Sequence, residues 1–147
     1  MDASWARYNK QLRLKEIGEA GQKRLNGASV AVIGCGALGS VIADSIVRAG
    51  VGHVVVVDRD YIELSNLQRQ MLFDEEDIAR DLPKAIAAAE RLRKINGEVR
   101  IESLFSDVTR RNIESIIGNV DLVMDGTDNF ETRYLINDAC VKLGIPW

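Results

Sequence analysis

The sequence is poor in several residue types that carry much of protein chemistry. Its 147 residues include one histidine, two cysteines and two prolines, and aromatic residues make up 5%. Neither Cys35 nor Cys140 belongs to a C-x-x-C pair, so the usual spacing of a zinc site is missing. Cys140 falls on the apolar side of a predicted helix and reads as core. Cys35 lies in a glycine-rich turn that needs a small residue, with a reactive thiol beside a helix N-terminus as the alternative. The single histidine, His53, stands beside Gly52 with no partner in view and reads as a surface residue. That leaves no candidate catalytic histidine. No apolar run approaches the roughly 20 residues that span a bilayer, and Met1 to Arg7 lack the apolar core of a signal peptide. Nineteen basic against 22 acidic residues give a net charge of −3, with no global pull toward nucleic acid or a membrane surface. The expected compartment is the cytoplasm.

What is present is enough apolar residue, 46%, to build the core of one domain. The chain is organised around Val30-Ala31-Val32-Ile33-Gly34-Cys35-Gly36-Ala37-Leu38-Gly39. A β-branched apolar run enters a G-x-G-x-x-G pattern, and an amphipathic helix pattern, Ala37 to Ala49, follows at once. In such a turn Gly34 permits the bend, Gly36 lets a phosphate approach the backbone, and Gly39 lets helix and strand pack closely. The helix N-terminus then offers free N–H groups to an anion. About 20 residues further on, Asp58 ends a second apolar run, Val54 to Val57, where an acid suits ribose hydroxyls.

Residues 1–28 are expected to form a helical segment and residues 29–147 a nucleotide-binding α/β unit. Within the first, one short helix holds Arg7 to Gln11 and a second starts at Gly18. A connection of more than twenty residues follows Asp58, and its apolar residues, from Tyr61 to Phe73, predict a loop packed down over the nucleotide. Pro83 opens a helix with Leu82, Ile86, Ala89, Leu92 and Ile95 on one face. Val99, Ile101 and Ser103 mark a third strand. Thr109 is placed to cap a helix carrying Ile113, Ile116 and Ile117. Asp121 to Asp125 reads as a fully buried fourth strand, and a last helix runs from Asn129 to Leu143. Pro146-Trp147 looks like the lead-in to a fifth strand. Alternating strands and helices predict a Rossmann-like, doubly wound, mostly parallel sheet in the order 3-2-1-4, truncated before its fifth strand. With strand 4 as an edge, the isolated chain is expected to self-associate or to form part of a longer protein.

The glycine turn, Asp58 and Gly126-Thr127-Asp128 all fall at the carboxyl edge of that sheet, where ligands bind. The turn and Asp58 fit NAD as well as ATP. Asn66, Gln68, Arg69 and Lys84 add donors and cations suited to a triphosphate. Asp128 offers a carboxylate for Mg²⁺, but with Glu131 it also matches a D-x-x-E capping box.

Taken together, Arg7-Tyr8-Asn9-Lys10-Gln11, the glycine turn, Asp58-x-Asp60, Ser65-Asn66-Leu67-Gln68-Arg69-Gln70, Pro83-Lys84 and Thr127-Asp128-Asn129 resemble the adenylating domain of the ThiF/MoeB/HesA group, relatives of the ubiquitin-activating enzymes. The resemblance covers essentially the whole chain. It implies ATP and Mg²⁺, with Asp58 on the ribose hydroxyls and Asn66, Arg69 and Lys84 on the nucleotide and its phosphates. It makes Asp128 the metal-linked acid, and Arg69, Lys84 and Asp128 the residues that carry the reaction. The implied partner is a ubiquitin-like sulfur-carrier protein ending in Gly-Gly, whose carboxylate is adenylated with release of pyrophosphate. The resemblance implies a homodimer in which an arginine, at the position where Lys10 stands, reaches the partner's ATP, work open here to Lys10 or to nearby Arg7 or Arg13. The family also continues past Trp147, so residues 1–147 alone are expected not to complete carrier adenylation. Two other readings stand beside this one. An NAD-dependent oxidoreductase has no use for Arg69, Lys84 and Asp128, and a non-catalytic scaffold half would be expected to lack Arg69 and Asp128.

Overall fold

The two valine-rich runs either side of the glycine turn have no polar face, so each must be covered on both sides. They form the middle of the sheet. The structure is a computed structural model, and it describes residues 3–147. Met1 and Asp2, part of the stretch read above for a targeting signal, lie outside the described residues. Four strands, β1 (Ser29–Ile33), β2 (His53–Asp58), β3 (Arg100–Phe105) and β4 (Leu122–Asp125), are ordered β3-β2-β1-β4. All pairings are parallel, with Val30 opposite both Val54 and Leu122. Helices α3 (Ala37–Ala49) and α5 (Lys84–Ile95) cover one face, burying Val30, Val32, Val54 and Val56. Helices α6 (Ile113–Ile117) and α7 (Phe130–Leu143) cover the other, burying Ala31, Ile33, Val55 and Val57. This is the expected doubly wound architecture.

Several expectations need correction. On α5 the buried apolar residues are Ala85, Ala87, Ala88, Ala89 and Leu92, while Ile86 is only half-buried. Small side chains let this helix lie close to the sheet, which a count of large apolar residues does not register. α6 starts after Asn112, not after Thr109, whose carbonyl instead closes the preceding turn by accepting from the Asn112 and Ile113 N–H groups. In β4 only Val123 is fully buried, because this strand is the sheet edge. Its Val123 N–H already donates to the Pro146 carbonyl at 3.0 Å, so the chain turns alongside β4 where the lead-in was expected. His53 is not an unpartnered surface group. Its Nδ1 lies 2.8 Å from the Ser29 hydroxyl and its Nε2 3.4 Å from Glu102.

The long connection after β2 is packed down only in part. Ile62, Leu72 and Phe73 enter the core, while Tyr61, Leu64 and Met71 are exposed. It also contains a short helix absent from the sequence reading, α4 (Glu75–Ala79), capped by Asp74, whose side chain accepts from the Glu76 and Asp77 N–H groups. At the opposite edge of the sheet, α1 (Asn9–Leu12) and α2 (Gly18–Gly27) are tied down by buried polar groups. The Tyr8 hydroxyl accepts from Asn96 at 3.0 Å, and Gln11 and Gln22 both donate to the Ala49 carbonyl. A Cβ at Gly50, which has φ of 85°, would collide with the Tyr8 ring.

Candidate nucleotide-binding site

Gly34 adopts φ of 85° as β1 ends, the left-handed conformation that turns the chain into α3. The packing role expected of Gly39 is visible, since a Cβ there would stand 1.8 Å from the Gly34 carbonyl oxygen. A third glycine joins them. A Cβ on Gly126 would lie 2.6 Å from that same oxygen and 2.8 Å from Cα of Gly39. Two loops from strands β1 and β4 therefore meet backbone to backbone at the carboxyl edge.

Above them opens a cleft of about 760 Å³ lined by Gly34, Gly36, Asp58, Asn66, Arg69, Lys84 and Asp128, with Tyr61, Ser106 and Asp107 among its other walls. Residues from five parts of the sequence thus converge as the spacing implied. Asp58 is fixed by two backbone donors, Cys35 N–H at 2.6 Å and Asp60 N–H at 2.8 Å, one on each oxygen. Each oxygen keeps a further lone pair for another donor. Asn66 is buried and its carbonyl oxygen accepts the Glu63 N–H at 3.0 Å, while its amide nitrogen has no partner among the described residues. Lys84 is almost fully buried, with its ammonium 3.2 Å from Asp60. Arg69 is exposed and donates to the Ser65 carbonyl at 3.0 Å.

Asp128 settles a question left open by the sequence. The N-cap of α7 is Asn129, whose side chain accepts from the Thr132 N–H at 2.9 Å. Asp128 is not the cap. Its carboxylate is exposed on the cleft wall and carries no hydrogen bond or ion pair among the described residues. No group of three or more metal-ligating side chains exists among the described residues, so any cation here would draw most of its ligands from phosphate oxygens and water.

Two expected site residues do not reach the cleft. Gln68 is exposed and does not line it, and Gln70 lines it instead, buried and with its side-chain oxygen lacking any partner among the described residues. The turn explains the swap, because the Asn66 carbonyl accepts from both the Arg69 and Gln70 N–H groups and curls Gln70 inward. Lys10 is exposed on α1, at the amino edge of the sheet, remote from this chain's own cleft. Cys35 is fully buried beneath the turn, and burial, with the Asp58 charge adding, pushes its thiol up to about 12. That removes the reactive-thiol alternative. The sequence reading also passed over Asp125. Burial disfavours its charge, but the Thr127 hydroxyl and N–H and the Arg133 guanidinium outweigh this and hold its carboxyl below the usual range.

Comparison with known proteins agrees with this geometry. The ThiF family model matches residues 8–147. A sulfur carrier protein ThiS adenylyltransferase of Bacillus subtilis is 50% identical over 141 residues, covering 96% of this chain and 42% of the relative. A sulfur carrier protein adenylyltransferase of Thermus thermophilus is 47% identical, covering 95% of this chain and 51% of the relative. Among solved structures, the Escherichia coli tRNA N6-threonylcarbamoyladenosine dehydratase in complex with ATP superposes with a TM-score of 0.90 at 28% identity, covering 99% of this chain and 59% of that one. The chain spans about half the length of the curated relatives it matches. On the family match, the identities and the shared architecture together, the chain belongs to the ThiF family.

Proposed function

We propose that this chain forms the nucleotide-binding part of an adenylyltransferase that activates the C-terminal glycine carboxylate of a ubiquitin-like sulfur-carrier protein with ATP. The observation that carries the reading is the cleft itself. It gathers the glycine turn, Arg69, Lys84 and a carboxylate, Asp128, with no hydrogen bond or ion pair among the described residues. The names of the sulfur-carrier adenylyltransferases and the ATP-bound relative support the same reading.

In the reaction an oxygen of the carrier's terminal carboxylate attacks the α-phosphorus of ATP. The new acyl-phosphate bond forms as the bond to the β-phosphate oxygen breaks, and pyrophosphate leaves with the electron pair. A terminal carboxylate with a pKa of about 3.5 is already ionised, so no general base is required. The chain's residues then act by placement and charge. Asp58 accepts from the ribose hydroxyls, the Asn66 amide donates to phosphate, and Arg69 and Lys84 neutralise phosphate oxygens. Asp128 would hold Mg²⁺ against the phosphates, where the ion supplies further charge neutralisation. Lys10 is exposed on α1 and does not line its own cleft, so in this proposal it serves the site of a second copy in a homodimer. The division into a helical segment, residues 1–28, and a nucleotide-binding unit, residues 29–147, belongs to the same proposal.

ATP–pyrophosphate exchange with a Gly-Gly carrier tests it. Arg69→Ala and Asp128→Asn should each lower exchange by on the order of 10²–10³-fold without lowering the melting temperature. Calorimetry that found tight NAD binding and no ATP signal would overturn the reading.

A further inference from the structure

We infer that Asp125 and Arg133 are positioning residues that clamp the Thr127 turn and so present the Asp128 carboxylate to the cleft before a ligand arrives. The inference rests on the adenylation reading above.

Neither residue lines the cleft. Asp125 ends β4 with its side chain only 8% exposed. One of its oxygens accepts both the Thr127 N–H at 2.8 Å and the Thr127 hydroxyl at 2.6 Å. The other accepts from Arg133 Nε at 2.7 Å, and a second nitrogen of the same guanidinium donates to the Thr127 carbonyl at 3.2 Å. All three polar groups of Thr127 are therefore engaged by this one pair. The residue after Asp128 is fixed as well, since Asn129 caps α7. Asp128 thus sits between two anchored neighbours, with Gly126 wedged against the glycine turn on the near side.

The pair is electrically balanced, so it adds little net charge to the cleft. A salt bridge serving only α7 would need just the Asp125–Arg133 contact. The bonds to Thr127 have a different effect, because they fix a backbone turn that carries no regular hydrogen-bond ladder. The guanidinium is itself steered by the Phe130 ring, whose centroid lies 5.4 Å away. Misplacing a reacting group by about 1 Å costs on the order of 10²-fold in rate, which is the scale of effect the clamp would prevent.

The test uses the whole adenylyltransferase of which this chain is proposed to form the nucleotide-binding part, and two readouts. In Arg133→Gln the Thr127 amide should lose hydrogen-exchange protection while the Val123 and Met124 amides keep theirs. Exchange with pyrophosphate should fall on the order of 10²-fold. Combined with Asp128→Asn, the double variant should be no slower than Asp128→Asn alone, because the arginine acts through that carboxylate. Wild-type protection at Thr127, or losses that multiply in the double variant, would overturn the inference. Should Arg133→Gln not fold, Arg133→Lys is read the same way, since lysine keeps the charge and loses the two-point donor. If the wild type shows no exchange, the adenylation reading is what fails. The Thr127 amide then decides the clamp, lost protection supporting it and retained protection overturning it.

Discussion

An alanine at Gly39 would press its Cβ to within 1.8 Å of the Gly34 carbonyl, and both partners are backbone. Overpacking of this kind costs about 1–3 kcal/mol or more, so Gly39→Ala should lower the denaturation midpoint clearly. Gly27→Ala is the control, because a Cβ there meets nothing within 4 Å and stability should hold or rise slightly. Equal midpoints for the two variants would show that the turn relaxes more easily than its geometry implies. The thiols give a second check at this scale. Cys35 and Cys140 are both fully buried, and an aromatic disulfide reagent should label neither until the protein unfolds. Rapid native labelling of Cys35 would restore the reactive-thiol alternative. Gly34, Gly36 and Gly39 were legible because their spacing is local. Gly126 was not legible as a packing residue, since the backbone it meets comes from a distant part of the chain. Gln68 and Gln70 were confused for a related reason. A non-repeating turn has no period from which inward and outward residues can be separated.

At the scale of the element, α4 makes a pH prediction. Its cap, Asp74, is held below the ordinary carboxylate range first by the bond from Arg91 and then by the Asp77 and Glu76 N–H groups. A carboxyl whose pKa is depressed by folding contributes stability above its unfolded pKa of about 3.9 and loses it as pH falls through the lower folded value. Amides of α4 should therefore lose exchange protection at acid pH before those of α5. Protection unchanged by acid would assign the cap no role. On α7 the two adjacent residues should separate. Asn129→Ala removes a cap worth about 1 kcal/mol and should lower the melting temperature, whereas Asp128→Asn should leave it alone. The strand order and the long helices α3 and α7 were readable from apolar periodicity. α4 was not, because five residues are too short to show a period and its only signal was the reciprocal pairing of Asp74 and Asp77.

For the whole molecule, the outer edge of β4 has one backbone partner among the described residues, the Pro146 carbonyl. Its central residues Leu122, Val123 and Met124 bring no charge to deter pairing. Purified on its own, the 147-residue chain is expected to self-associate, and sedimentation velocity showing a stable monomer would contradict this. The amino edge of the sheet carries a different consequence. Tyr8 is seated on Asn96, 88 residues further along the chain. During synthesis at 5–20 residues per second, the first helices must wait roughly 4–18 s for that partner to be made. Until then Tyr8 lacks the Asn96 amide, although Gln11 and Gln22 already have the Ala49 carbonyl. The two helices thus take their seat in two stages, first on the end of α3 and only after α5 on Asn96, so the nascent chain holds them half-anchored in between.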